Sequence, residues 1–257
     1  MPLFTDQLQR TVNLNDPVRR IVSVVPSQTE LLHYLGLEAE VVGITKFCIH
    51  PPEWFGTKPR VGGTKQLNIS AIRALQPDLV IANKEENDQE QIAVLAKEFP
   101  VWISDITTLP DAYDMILRVG IITGRASVAV TLVQAIQQQF ATLHPPRIRK
   151  TAYFIWRKPW MVAASHTFID DILQQCGMVN VFAGMTRYPT LTTAQLQSVS
   201  PELVLLSSEP FPFGATHLAE LQTIFPQAEI KLVDGEMFSW YGSRLLHTAH
   251  YFSQHFT

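Results

Sequence analysis

Pro77-Asp78-Leu79-Val80-Ile81 and Pro201-Glu202-Leu203-Val204-Leu205 have one form: a proline, an acid, then an unbroken apolar run. A short apolar run bounded by turn residues reads as a parallel strand covered on both faces. Two more matches occur in the same order along the chain. Leu31-Leu32-His33-Tyr34-Leu35-Gly36, followed by Gly43, pairs with Ile172-Leu173-Gln174-Gln175-Cys176-Gly177, followed by Gly184. Val101-Trp102-Ile103-Ser104-Asp105 pairs more loosely with Lys231-Leu232-Val233-Asp234. Apolar runs ending in glycine recur in any α/β protein, but three matches in order favour two copies of one α/β lobe.

Outward from these blocks, seven short apolar runs read as strands: 21–25, 41–44, 79–82, 101–103, 152–155, 203–206 and 231–233. Amphipathic stretches such as 30–35, 69–75, 90–97 and 169–176 lie between them. Strand and helix in alternation mean α/β with parallel sheets. Residues 111–143 form the longest stretch without a strand signal, interrupted by Gly120 and Gly124. From Arg125 to Leu143 there is neither Gly nor Pro until His144-Pro145-Pro146 stops any helix. Such a helix spans roughly 28 Å at 1.5 Å per residue, a stiff spine where a Gly/Ser linker would swing. The predicted fold is therefore two Rossmann-like α/β lobes with parallel sheets, joined by one long backbone helix. The N-terminal lobe takes residues 1–123, the helix 124–144 and the C-terminal lobe 145–257.

Composition narrows the function. Apolar residues make up 46% of the 257 and charged residues 17%, which excludes intrinsic disorder. A net charge of −3, with no basic run beyond Arg147-Ile148-Arg149-Lys150, argues against nucleic acid. No apolar stretch approaches the ~20 residues that span a bilayer. The opening Met-Pro-Leu-Phe-Thr-Asp-Gln-Leu-Gln-Arg lacks the basic and apolar regions of a signal peptide. A cytoplasmic location is thus expected for the chain as given, and a periplasmic or lipid-anchored one if a leader was removed. Cys48 and Cys176 have no spacing that argues for a disulfide and read as reduced thiols. A monomer is expected.

Catalytic signatures are missing: no Gly-x-Gly-x-x-Gly, phosphate loop, His-Glu-x-x-His or Gly-x-Ser-x-Gly occurs. His247 and His250 share a helix face but have no nearby carboxylate or thiol with which to build a metal site. Thr167-x-x-Asp170 and Ser27-x-x-Glu30 have capping-box spacing and read as helix starts. No enzyme is expected, and no catalytic residue is assigned.

Arg20-Ile21-Val22-Ser23-Val24-Val25-Pro26-Ser27-Gln28-Thr29-Glu30 resembles the opening strand and helix of the cobalamin- and iron-siderophore-binding proteins of ABC transporters. Val61-Gly62-Gly63, the segment from Asn68 and Ile69 through Leu75-Gln76-Pro77-Asp78-Leu79-Val80-Ile81, and the segment Phe238 to Arg244 extend the similarity over about residues 12–255. The resemblance implies two lobes, one long helix and a ligand in the interlobe cleft, the architecture already read from the repeat. It also implies a corrin-facing aromatic at Phe47 and retained positions at Tyr188 and Glu236, while two tryptophans of the cobalamin binder fall on Thr64 and Asn83. The surface glutamates with which transporter-linked members dock onto a permease fall on Ser70 and Ala194, removing the charge pairs that fix register. An ABC permease remains possible as partner by family.

Cleft residues can be read without the resemblance, because ligands of parallel α/β lobes lie beyond the carboxyl ends of the strands. In the first lobe this places Lys46, Phe47, Cys48 and His50 after one strand and Asn83, Lys84, Glu85, Glu86 and Asn87 after another. In the second lobe Trp156, Arg157, Lys158 and Trp160 follow one strand, and Glu209, Phe211 and Phe213 the next. The last strand is followed by Asp234, Glu236, Phe238, Trp240 and Tyr241, with Arg244 beyond. Aromatic faces suit planar ligands, or they pack the lobes. Arg157 and Arg244 suit bidentate anion contact, or they pair with Glu209 or Glu236. His50 or Cys48 offers at most a weak metal ligand, and no metal site is assigned. The expected function is capture of a small ligand: an iron-siderophore, a haem or a corrinoid. A cytosolic enzyme or accessory protein of chelate processing is the alternative. No resident cofactor is expected, since any metal arrives within the ligand.

Overall fold

The computed structural model describes residues 3–14, 17–143 and 147–256. The helix stop at His144-Pro145-Pro146, and with it the expected boundary at 144 and 145, lies outside the described residues. Contacts divide the chain into two units. The first holds residues up to Ile106, Pro110–Ile136 and Tyr241–Arg244; the second holds Thr107–Leu109, Gln137–Trp240 and the residues from Leu245 on.

The first unit opens with an antiparallel hairpin, β1 (Leu3–Thr5) and β2 (Thr11–Asn13). It had no periodic signal because side-chain chemistry makes it. The buried Asp6 carboxylate accepts the backbone N–H groups of Leu8 and Arg10 at 3.0 and 2.9 Å and the Arg10 Nε at 2.8 Å. Then come β3 (Ile21–Ser23), β4 (Val41–Ile44), β5 (Leu79–Asn83) and β6 (Val101–Ser104), all parallel, in the sheet order β4-β3-β5-β6. Every residue of β3, β5 and β6 is buried, as expected for strands covered on both faces. The helices are α1 (Pro26–Tyr34), α2 (Pro52–Thr57), α3 (Ile69–Leu75), α4 (Gln89–Leu95), α5 (Leu109–Ile122) and α6 (Ala126–Ala141).

The second unit contains β7 (Arg149–Trp156), β8 (Trp160–Val162), β9 (Met178–Asn180), β10 (Thr190–Leu191), β11 (Leu203–Ser207) and β12 (Glu229–Val233). Its helices are α7 (Phe168–Gln175), α8 (Thr193–Gln197), α9 (Ala215–Ile224), α10 (Glu236–Ser239) and α11 (Leu245–Phe256). Strands β9, β7, β11 and β12 are parallel neighbours in that order. Both units thus place their second parallel strand beside the first, then the third, then the fourth. The second unit adds β8, antiparallel beside the far half of β7, and β10, antiparallel beside β8.

The repeat extends to single hydrogen bonds. Before β5, Asp78 accepts the N–H groups of Arg19 and Arg20 at 2.9 Å and donates its own N–H to the Arg20 carbonyl. Before β11, Glu202 accepts the N–H of Lys150 at 2.9 Å and donates to the Lys150 carbonyl. The acid after each proline stitches the third strand to the first. Gly36 and Gly177 both follow a helix at φ 73°, the left-handed position where a side chain is strained. The match does not extend to Gly43 and Gly184: Gly43 is inside β4, whereas Gly184 lies past β9 with open space around it.

Two expectations change. Thr167 caps α7 by accepting the Asp170 N–H at 3.2 Å, as its spacing predicts, but Ser27 caps nothing. Pro26 is already the first helical residue of α1, so Val25 is the cap and Ser27 is buried inside the first turn. The interrupted stretch before the spine is itself a helix. Gly120 stays within α5 because α6 comes so close there that an added Cβ would strike that of Ala129. Gly124 ends α5 at φ 69°. The expected spine at 125–143 is α6; its residues up to Ile136 belong to the first unit and those from Gln137 to the second.

Candidate functional site

At the carboxyl ends of the first unit's strands lies a buried polar layer. Gln28 donates to Ser104 Oγ, Asn83 Nδ2 donates to the same oxygen at 3.0 Å, and Asn83 Oδ1 accepts the N–H groups of Glu85 and Glu86 at 2.8 and 2.9 Å. Asn83, an expected ligand contact, is 3% exposed and shapes the loop that carries Glu85 and Glu86. Lys84 pairs with Asp105 at 2.6 Å. After β4, Lys46 and Phe47 are exposed and His50 is half-buried. Phe47 leaves 51% of its surface open, with the Lys46 ammonium 5.1 Å from its ring centroid. Beneath it Cys48 is buried, bonded to the hydroxyls of Thr29 and Thr45 at 3.1 and 3.2 Å, and burial raises its pKa. A buried, protonated thiol is a poor metal ligand.

Tyr241–Arg244 belongs to this unit although its neighbours in the chain belong to the other. Tyr241 is 5% exposed and its hydroxyl donates to Glu86 Oε1 at 2.7 Å; burial first, then the Glu86 charge, push its pKa well up. Arg244 grips Glu30 with Nε at 3.1 Å and Nη2 at 2.6 Å.

At the carboxyl ends of the second unit's strands, Trp156 leaves 39% of its surface open and meets Phe211 edge-on at 5.6 Å. Phe211 in turn packs on Phe213 and on His217 of α9. Arg157 makes a bidentate pair with Glu220 of α9 and lies 4.2 Å over the Trp160 ring. Trp160 and Phe213 are part of the core. Lys158 is exposed, and Tyr188 and Glu236 are half-buried. Phe238 is fully buried between Tyr153 and Phe252, at 4.9 and 4.7 Å. Trp240 is buried with its indole N–H on Glu209 Oε1 at 2.9 Å, an oxygen that Ser239 also contacts at 2.8 Å. Burial, then the charges of Glu236 and Asp234, raise the Glu209 pKa.

Arg157 thus pairs with Glu220 and Arg244 with Glu30, where the sequence left open an anionic ligand or Glu209 and Glu236 as partners. Glu220 carries no motif that could have marked it; Glu30 and Ser104 lie in the blocks 20–30 and 101–105, but nothing in those blocks signals these contacts. Ser70 and Ala194 occupy the second position of α3 and α8, just after the capping residues Asn68 and Thr192, and both are exposed.

Each unit thus presents buried polar groups and an exposed aromatic ring at its strand ends. The family model described as periplasmic binding protein matches residues 21–224. The chain belongs to the periplasmic binding protein family. A vitamin B12-binding protein of Vibrio parahaemolyticus is 27% identical over 214 residues, 80% of this chain and 76% of its own length. Three solved structures share the fold. The periplasmic vitamin B12 binding protein of Vibrio cholerae has a TM-score of 0.77 at 22% identity, covering 93% of this chain and 96% of that one. The periplasmic heme binding protein of the same organism has 0.76 at 22%, covering 90% and 96%. An Fe3+-hydroxamate transport protein of Saccharomonospora viridis has 0.77 at 17%, covering 98% of both chains. The expected fold class, two α/β lobes with parallel sheets and a long connecting helix, is the fold of these proteins. No helix among the described residues is long and apolar enough to cross a membrane.

Proposed function

We propose that this chain captures a metal chelate or tetrapyrrole (a corrinoid, a haem or an iron-siderophore) and delivers it to an ABC permease. The observation that carries the reading is family membership across residues 21–224, joined to relatives named for vitamin B12, heme and Fe3+-hydroxamate. The exposed rings supply the chemistry. Phe47 in the first unit, and Trp156 braced by the half-buried Phe211 in the second, offer apolar faces to a flat or bulky ligand. His50, close after Phe47, and Lys158, close after Trp156, supply polar contacts together with Tyr188. Glu209, Trp240, Tyr241, Arg157 and Arg244 act through the pairs that they already make, shaping the rims. Relatives named as periplasmic support action on the outer side of a membrane. Permease docking at Ser70 and Ala194 relies on shape, since neither residue carries charge. Thermal unfolding with cyanocobalamin, haemin or ferrioxamine B tests the reading: one of them raises the midpoint in proportion to the logarithm of its concentration, and no shift with any refutes it.

A further inference from the structure

Phe47 is exposed yet held. Lys46 donates its N–H to the Gly62 carbonyl at 2.8 Å, drawing the loop after β4 alongside residues 61–63. A Cβ built on Gly63 would lie 3.1 Å from Phe47 Cε2 and 3.3 Å from Lys46 Cε, so a side chain at 63 would press on the ring and displace it by a few tenths of an ångström. The loop is anchored from below. Cys48 sits in a nest of the Thr29 and Thr45 hydroxyls, and Thr45 Oγ1 also accepts the Phe47 N–H at 3.3 Å. Holding an exposed phenylalanine this way removes rotamer freedom without burying it, which favours the fold little but favours a ligand that finds the ring already in place.

We propose that Gly63 and Cys48 are positioning residues that hold the Phe47 ring in the orientation in which it meets ligand. This deepens the binding function proposed above and rests on it. The two glycines of Val61-Gly62-Gly63 then have separate tasks. Gly62 has φ 97°, and a Cβ there would lie 2.7 Å from the Asn68 backbone nitrogen, a requirement of the fold. Gly63 meets only the outer ends of two exposed side chains.

The test is titration of the full chain and its variants with cyanocobalamin, haemin and ferrioxamine B. Truncating an aromatic anchor weakens binding about thirtyfold, the loss expected for Phe47→Ala. Gly63→Ala, whose methyl pushes the ring aside, reproduces most of that loss while the melting temperature stays put. It adds nothing on a Phe47→Ala background. Cys48→Ala also weakens binding, and Cys48→Ser, which keeps hydrogen bonds to both threonines, restores it. Should Cys48→Ala fail to fold, Gly63→Ala decides alone. Unchanged affinity in Gly63→Ala, or a loss that persists undiminished without Phe47, overturns the inference and leaves the binding function standing. If the unaltered chain binds none of the three probes, the binding function falls and this inference with it.

Discussion

Gly62 and Glu209 show how single residues bear on the account. Alanine at position 62 must take up φ 97° and move the backbone of residues 67 and 68, so Gly62→Ala should cost about 1–3 kcal/mol in a denaturant titration. Glu209 is a different case, because its folded pKa is raised. The native state then holds its proton to higher pH than the unfolded chain does, so stability falls as pH rises through the interval just above the ordinary glutamate range. Glu209→Gln keeps an acceptor for Ser239 and Trp240 and removes the charge. Melting temperatures from pH 4 to 8 should therefore fall less steeply in the variant than in the parent; identical slopes would place the charge elsewhere. Among the tryptophans, Trp240 is buried and bonded, so Trp240→Ala should destabilise by about 3–5 kcal/mol. The half-open Trp156 should instead lose binding with little loss of stability on truncation.

Elements carry the repeat. Asp78 accepts two backbone N–H groups between β3 and β5, so Asp78→Ala should cost about 1–2 kcal/mol. Glu202→Ala, which removes the corresponding bond, should shift the midpoint in the same direction. No change in either would deny the stitch its role. Gly120 offers a sharper test of the α5–α6 contact. Gly120→Ala should destabilise, and Ala129→Gly should relieve most of that loss because the two Cβ positions collide. Seven of the eight parallel strands described were legible in the sequence, as short apolar runs between turn residues. Strands β1, β2, β8, β9 and β10 were not, since two or three residues each are too few to establish a period. The helix α5 was hidden by Gly120, read as a break although it serves as the point of closest helix approach.

For the whole chain, the expected fold followed from the repeated blocks around Pro77 and Pro201 and the expected family from residues 20–30, 68–81 and 238–244, and matching relatives support both. The rims were only partly legible. Strand ends can be counted along a chain, so the exposed Phe47 and Trp156 and the half-buried Phe211 were found. Partners far apart in sequence cannot: Arg244 meets Glu30 across 214 positions, and Arg157 meets Glu220 across 63. Those pairs engage two of the residues read as ligand contacts. Capture of a chelate or tetrapyrrole is the central claim, and calorimetric titration of the whole chain with cyanocobalamin, haemin and ferrioxamine B tests it most directly. The account predicts saturable binding of one of them at one ligand per chain, adding about 2.7 kcal/mol of stability at a hundred times its dissociation constant. Flat titrations with all three would contradict it.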